Sequence, residues 1–124
     1  MIKNDRILIV DDVVDNIRIA MNILKEDNYD FSFANSGIEA LELLKDEPEQ
    51  FQLILLDIMM PGIDGFETCE KIKANPQTKD IPIIFLTAKT DVDSISKGFI
   101  HGAVDYITKP FFANELLARV KTHI

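Results

Sequence analysis

Short apolar segments alternate along the chain with longer segments in which apolar residues recur at helical spacing. Three of the short segments are continuous apolar runs and two are weaker; in chain order, the five cover residues 7–10, 31–34, 53–56, 82–86 and 104–107. Continuous runs are typical of strands that are covered on both faces, as in a parallel sheet. The pattern therefore predicts five strands of a parallel sheet.

The longer segments predict helices, because their apolar residues recur every three or four positions. They cover residues 14–27, 36–44, 65–74, 92–101 and 112–123. Ser36 precedes Glu39 by three positions, which is the spacing of a helix N-cap with a capping box. Strands that alternate with helices require parallel pairing with right-handed crossovers, so we predict an α/β fold. We interpret nearly all of the apolar residues in these segments as core residues.

Several other residues receive structural interpretations. Asp15 and Asn16, near the start of the first helix, and Asp64, before the third, are interpreted as helix-capping residues. Cys69 lies on the apolar stripe of the third helix, which indicates a small core residue and not a nucleophile. Three turn-forming residues are expected to shape the loop before that helix: Pro61, Gly62 and Gly65.

Composition narrows the class of protein. The chain has 124 residues, of which 47% are apolar, so we predict one domain, residues 1–124, with a core of its own. It carries 13 Lys and Arg against 21 Asp and Glu, and this net charge of −8 disfavours direct binding to nucleic acid or to an anionic membrane. No apolar run approaches the roughly 20 residues of a membrane helix, and no signal peptide is visible. With a single cysteine and no disulfide framework, we expect a small cytoplasmic domain.

Polar residues of a particular kind follow four of the predicted strands. Asp11 and Asp12 follow the first strand and Asp57 the third, while Thr87 and Lys109 follow the fourth and fifth. In an open parallel sheet, ligands bind outside the carboxyl ends of the strands. Carboxylates held together there would raise one another's pKa, and a hard divalent cation such as Mg²⁺ resolves that conflict.

These residue types fit phosphoryl transfer. A carboxylate beside bound Mg²⁺ can attack phosphorus and form an aspartyl phosphate. The phosphoryl group in transfer spreads negative charge over three oxygens, which metal, ammonium and hydroxyl groups stabilise. Lys109 supplies an ammonium group and Thr87 a hydroxyl group. The chain therefore carries the groups needed to transfer a phosphoryl group onto a carboxylate.

Four segments resemble the receiver domain of two-component response regulators. They are ILIVDD at residues 7–12, LLDIMMPGIDG at 55–65, IFLTA at 84–88 and GAVDYITKPF at 102–111. The flanking helices match as well, so the resemblance covers nearly the whole chain. It implies a flavodoxin-like, doubly wound fold with a five-stranded parallel sheet in the order 2-1-3-4-5, flanked by five helices.

The resemblance also implies roles for the residues at the strand ends. Asp57 would be the phosphoacceptor. Asp11 and Asp12 would place Mg²⁺, or Mn²⁺ in its stead, with Asp12 as the more direct ligand. Asp57 and the backbone carbonyl of Met59 would complete the protein ligands. Lys109 would pair with the phosphoryl oxygens.

Further residues are implied to act in switching. Thr87 would hydrogen-bond the phosphoryl group and draw its loop inward, and Tyr106 would turn inward as the aromatic switch. From the residues alone, the Tyr106 ring could equally cap the core. The Lys109–Pro110 bond would be cis, as only an X-Pro bond can be at low cost. Met59 and Lys89 lie at positions that vary in the family, and the apolar Met59 leads us to predict slow to moderate loss of the phosphoryl group.

The implied partners are a sensor histidine kinase or a histidine phosphotransfer protein, and an output domain or partner controlled through helix 4, strand 5 and helix 5. Such a domain is a signalling switch that modifies itself, and not an enzyme acting on a separate substrate. A homodimer is possible, since Glu115 and Arg119 resemble part of a charged set that one branch uses to dimerise. Val104, however, stands where that branch usually has an acidic residue. The chain suits either a stand-alone receiver or the receiver part of a longer protein.

Three other functions remain in competition. One is a protein-binding module of the same fold that acts without phosphorylation. A flavodoxin-like electron carrier would need a loop rich in Ser, Thr and Gly after the first strand, where this chain has Asp11 and Asp12. A phosphatase of the haloacid-dehalogenase kind would need a second carboxylate two residues after its nucleophile, where the chain has Val13 and Val14.

Overall fold

The computed structural model describes residues 4–88 and 92–124, in which strands and helices alternate as predicted; Lys89 lies outside the described residues. The elements are β1 (Arg6–Val10), α1 (Val14–Leu24), β2 (Asp30–Ala34), α2 (Gly37–Asp46), β3 (Leu53–Asp57), α3 (Gly65–Ala74), β4 (Ile83–Thr87), α4 (Val92–Ile100), β5 (Asp105–Thr108) and α5 (Ala113–His123). A short 3₁₀ helix, Lys25–Asp27, follows α1, so the predicted first helix changes its hydrogen-bonding pattern in its last turn. None of the described helices is long and apolar enough to cross a membrane.

The five strands form one parallel sheet in the order β2-β1-β3-β4-β5. This confirms the predicted fold class and strand order. The central strands β3 and β4 are buried along their whole length, as continuous apolar runs require. The chain reverses its direction of travel across the sheet between β1 and β3, so a crevice opens at the carboxyl ends of these strands.

The core consists of two apolar layers, one on each face of the sheet. Alternate residues of a strand point to opposite faces. In β1, Leu8 and Val10 contribute to the layer beneath α2 and α3, whereas Ile7 and Ile9 contribute to the layer beneath α1 and α5. Cys69 is fully buried in the first of these layers, which confirms its interpretation as a core residue.

Two predicted helix caps are present in the structure. The Ser36 hydroxyl accepts a hydrogen bond from the backbone N–H of Glu39 at 3.1 Å, although the Glu39 carboxylate takes the N–H of Asn35 instead of that of Ser36. The Asp64 carboxylate accepts the N–H of Glu67 at 2.9 Å. Each cap satisfies one of the free N–H groups at a helix start and so fixes where the chain turns into α2 and α3.

The capping interpretation of Asp15 and Asn16 is wrong. The residue before α1 is Val13, and it makes no side-chain cap. Asp15 lies in the first turn and forms an exposed ion pair with Arg18 at 3.7 Å. The free N–H of Val13 is instead taken by the side chain of Asp11, 2.9 Å away. The start of α1 is therefore tied to the end of β1.

The core interpretation also fails for several large apolar side chains. Phe99 and Ile100, at the end of α4, are 47% and 81% exposed. Phe33 lies on the edge strand β2 and is also largely exposed, as is Phe112, which precedes α5 and is not part of it. Helical or strand spacing identifies an apolar stripe, but it does not say how far the neighbouring elements extend to cover it.

Candidate phosphoryl-acceptor site

The polar residues that follow the predicted strands converge at one edge of the sheet. Asp11 follows β1, Asp57 ends β3, Thr87 ends β4 and Lys109 follows β5. Because these four strands are neighbours and parallel, their carboxyl ends lie side by side. The Lys109–Pro110 peptide bond at this edge is cis, as the resemblance implied.

Three carboxylates form the centre of the site. Oxygen atoms of Asp11, Asp12 and Asp57 lie within 4.8 Å of one another. Asp11 and Asp57 are buried, with 0% and 3% of their surface exposed, while Asp12 is exposed. The site therefore has a buried floor of two carboxylates and a third carboxylate at its opening, within the part of the chain that the structure describes.

Lys109 bridges the two buried carboxylates. Its Nζ lies 2.9 Å from Asp11 Oδ2 and 3.1 Å from Asp57 Oδ1. Burial by itself would lower the pKa of Lys109, but the contacts with Asp11 and Asp57 outweigh burial and raise it. Lys109 is therefore a fixed positive charge, and one such charge against three carboxylates leaves the site with an excess of negative charge.

Asp57 is costly to ionise in this setting. Burial, followed by repulsion from Asp11, raises the pKa of Asp57 from 3.8 to about 6, although Lys109 opposes the rise. A carboxyl group whose pKa is raised in this way is a candidate functional group, since structural carboxylates are usually arranged to stay ionised. At neutral pH the group is an anion that its surroundings only partly stabilise.

The donor set suits a hard divalent cation. One oxygen of Asp11 accepts the N–H of Val13, and the other, Oδ2, has Lys109 nearby but receives no well-directed hydrogen bond from the described residues. A buried carboxylate oxygen with unused acceptor capacity favours a cation as an additional partner. Mg²⁺ prefers a few carboxylate oxygens together with several waters, which matches a site with one open side.

Thr87 and Tyr106, the two predicted switch residues, border the same cleft. Thr87 is buried at the end of β4, and Tyr106 is half-buried on the neighbouring strand β5. The Tyr106 ring meets the Phe99 ring edge-on at 6.4 Å, and the Arg119 guanidinium lies 5.7 Å from its centre. The cleft is narrow and mostly apolar, and the residues that line it are Ile58, Phe85, Thr87, Ile95, Phe99, Ala103, Asp105 and Tyr106.

Gly65 supports the site in a way that the sequence did not reveal. It was interpreted as a turn former at the start of the predicted third helix, and it is the first residue of α3, where its N–H donates to the carbonyl of Ile58 at 2.8 Å. A Cβ atom at Gly65 would collide with the backbone carbonyl oxygen of Asp57. Only glycine allows the start of α3 to approach the acceptor strand this closely, and the Asp-Gly pair at the helix start was the available signal.

The predicted output surface contains a cluster of charged residues that pair with one another. Asp105 of β5 lies 2.7 Å from Arg119 Nη1 and 3.0 Å from His123 Nε2, both on α5, and Arg119 also contacts Glu115 at 3.3 Å. Burial would raise the pKa of Asp105, but the hydrogen bond from Arg119 and those from the Tyr106 N–H and His123 lower it. These charges therefore satisfy one another within one chain.

Comparison with known proteins identifies one family for this chain. The family model for the response regulator receiver domain matches residues 7–121. SpaR, a transcriptional regulatory protein of Bacillus subtilis, is 44% identical over 96% of this chain and 51% of its own length. The "probable cyclic di-GMP phosphodiesterase" of Vibrio cholerae is 46% identical over 95% of this chain and 26% of its own length. The chain thus spans about half of the length of SpaR and about a quarter of the length of the Vibrio cholerae protein.

Comparison with solved structures points to the same family. The crystal structure of a protein described as a response regulator from Chloroflexus aurantiacus superposes with a TM-score of 0.91 at 37% identity, and covers 97% of both chains. The matched family segment contains all of the residues that converge at the sheet edge. This chain therefore belongs to the response regulator receiver domain family, whose members are signalling domains of two-component systems.

Proposed function

We propose that this domain is a phosphorylation-dependent switch that accepts a phosphoryl group on Asp57. A sensor histidine kinase or a histidine phosphotransfer protein, acting in the cytoplasm, would supply the group from a phosphohistidine. The observation that carries the proposal is the setting of Asp57: a buried carboxylate with a raised pKa, held 3.1 Å from Lys109 and grouped with two further carboxylates. Such a carboxylate is a nucleophile that its surroundings only partly stabilise as an anion.

Mg²⁺ fits the donor set, and its ligands would be carboxylate oxygens of Asp11, Asp12 and Asp57 together with the backbone carbonyl of Met59. Met59 lies in the loop after β3, and its side chain is 64% exposed, so it does not fill the site. When bound, the cation would neutralise the carboxylates and the charge on the phosphoryl oxygens. Mn²⁺ prefers the same oxygen ligands and could substitute.

The transfer itself needs one bond formed and one broken. A carboxylate oxygen of Asp57 attacks phosphorus, the P–N bond of the phosphohistidine breaks, and the electron pair stays on the departing imidazole nitrogen, which then takes a proton from solvent. Lys109, already beside Asp57, is placed to pair with the phosphoryl oxygens, and the Thr87 hydroxyl lies at the end of the neighbouring strand. Both groups would stabilise the negative charge on the phosphoryl oxygens while the phosphoryl group moves onto Asp57.

Phosphorylation would then shift an existing equilibrium between two conformations. Thr87 would follow the phosphoryl group, and Tyr106 would turn into the cleft that both residues border. This would alter the surface formed by α4, β5 and α5 and so control an output domain or a partner protein. A homodimer through this surface is a further proposal, although Arg119 already pairs with Asp105 within the chain.

Intact mass spectrometry tests the function directly. Incubation with acetyl phosphate and Mg²⁺ should add one phosphoryl group, and the gain should be absent in Asp57→Asn or when EDTA removes the cation. Asp46→Asn is the matched control, since it also removes one carboxylate but lies exposed at the end of α2. Decay of the product over minutes or longer would agree with an apolar Met59, whereas loss within seconds would contradict it.

No gain with either acetyl phosphate or a phosphorylated histidine donor would contradict the proposed function. It would favour the alternative in which the same fold binds its partner without phosphorylation.

A further inference from the structure

The ring of Phe66 joins α3 to α4. It lies one residue after Gly65, at the start of α3, and packs edge-on against Phe85 of β4 with ring centres 5.3 Å apart. The Lys97 ammonium lies 4.6 Å from the centre of the Phe66 ring, and the centre of the His101 ring lies 5.6 Å from it. Lys97 belongs to α4 and His101 follows it directly. We call Phe66, Lys97 and His101 the aromatic clamp.

Two further contacts attach the same end of α4 to the same helix. The thiol of Cys69 donates to the backbone carbonyl of His101 at 3.2 Å. Nδ1 of His101 lies 4.0 Å from a carboxylate oxygen of Glu70, an ion pair when the imidazole is protonated. Both Cys69 and Glu70 are on α3, about one turn after Phe66, so this single stretch of α3 contacts the end of α4.

On the side of β4 and β5, α4 borders the narrow cleft beside Tyr106, where the Phe99 ring meets the Tyr106 ring edge-on. Phe99 is about half exposed and Ile100 is largely exposed. A helix that borders a cleft and is partly exposed can change its orientation without disturbing the core. The contacts between its end and α3 therefore affect how readily the helix moves.

We propose that the aromatic clamp holds α4 in its resting orientation and so sets the fraction of unphosphorylated molecules that adopt the switched conformation. This inference rests on the proposed function, in which phosphorylation changes the surface that includes α4. It adds to Thr87 and Tyr106 a second connection, which runs from the start of α3 to α4. A ligand that binds only the switched conformation must oppose the clamp, so its apparent affinity depends on the strength of the clamp.

The test weakens the clamp without disturbing the fold. Lys97→Met keeps an unbranched side chain with good helix propensity but removes the charge above the ring. Lys121→Met is the matched control, because Lys121 is exposed on α5 and lies over none of the described aromatic rings. The probe is beryllofluoride with Mg²⁺, a stand-in for the phosphoryl group, and bound probe is measured by ¹⁹F NMR. We expect beryllofluoride to bind Lys97→Met about two- to fivefold more tightly than the wild-type protein. This factor is the energy of one exposed cation–π contact converted to a ratio of affinities.

Amide NMR spectra give a second readout. In Lys97→Met without the probe, resonances of α4 should move along the line that joins the free and beryllofluoride-bound positions of the wild-type protein. Phe66→Leu should move them in the same direction, provided that its thermal unfolding shows a folded domain. A merely structural role for the ring would lower stability without this directed shift.

The outcomes separate the two proposals. Unchanged or weaker probe binding by a folded Lys97→Met, while the wild-type protein binds the probe, would overturn the clamp and leave the proposed function standing. An equal gain in Lys121→Met would overturn the clamp as well, since the effect would then be one of net charge. Failure of the wild-type protein itself to bind the probe would overturn both.

Discussion

Replacing Asp57 by Asn should stabilise the resting domain at neutral pH. The substitution keeps the shape of the side chain but removes a charge that is buried beside Asp11. In the folded state the pKa of Asp57 is raised from 3.8 to about 6, chiefly by burial and then by repulsion from Asp11. The folded protein therefore binds this proton more tightly than the unfolded chain, and ionisation of Asp57 lowers the free energy of unfolding.

The magnitude follows from the shift. The pKa differs by about 2 between the two states, and each unit corresponds to about 1.4 kcal/mol, so ionised Asp57 costs up to about 3 kcal/mol. The asparagine oxygen can still accept a hydrogen bond from Lys109, but it attracts the ammonium group less than a carboxylate does. We therefore expect a net gain of about 1–3 kcal/mol at pH 7, or a rise of roughly 4–12 °C in Tm for a domain of this size.

The pH dependence identifies the cause. Well below pH 4, Asp57 is neutral in both states, and the variant should approach the stability of the wild-type protein. The difference should grow between pH 4 and 6, as the wild-type protein loses stability, and stay constant above that range. Urea unfolding in EDTA at pH 4, 5, 6 and 7 measures it, with Asp46→Asn as a control for net charge. A difference that does not vary with pH, or an Asn variant that is less stable at pH 7, would refute the reasoning.

Three further predictions concern the same site. Lys109→Met should lower the free energy of unfolding at pH 7 by about 3 kcal/mol or more, because it leaves buried carboxylates unpaired; unchanged urea midpoints would contradict this. Gly65→Ala should cost about 1–3 kcal/mol and slow phosphorylation by acetyl phosphate, since the added methyl group pushes on the carbonyl of Asp57. Mg²⁺ should raise the Tm of the wild-type protein and should raise the Tm of Asp12→Asn much less. Asp15→Asn is the control, because it removes an exposed carboxylate in the first turn of α1, and its Tm should respond to Mg²⁺ like that of the wild-type protein.

The strands were predictable because they depend on local sequence, and the convergence of the site was predictable once the resemblance to receiver domains implied the strand order. An uninterrupted apolar run such as residues 53–56 is expected to be buried on both faces of the sheet. Asp57, which follows this run directly, then lies at the carboxyl end of the strand. Once the order of parallel strands is known, the end of one strand locates the ends of the others. The burial of Cys69 also follows from its place on the apolar stripe of its helix, whereas the cis bond before Pro110 was implied by the resemblance to receiver domains.

Other features were not predictable because they depend on what a distant segment covers. Ile100, the last residue of α4, is largely exposed, whereas its apolar character alone suggested the opposite. The charged cluster of Asp105, Arg119 and His123 brings together residues that lie on different elements and are up to 18 positions apart in the sequence. Gly65 looks like a turn residue until the approach of α3 to the carbonyl of Asp57 is visible.

The stability contributed by the buried core compensates for the unfavourable charge of the site. A few kcal/mol of unfavourable charge at Asp57 is a substantial part of the 5–15 kcal/mol that typically separates folded from unfolded domains. The sheet tolerates it because β3 and β4 are buried along their whole length by apolar neighbours that do not depend on the site. A change of charge at the site is therefore expected to act on elements that border the site and not on this core. We propose that α4 is such an element, because it lines the cleft beside Thr87 and Tyr106 and is joined to α3 by the aromatic clamp.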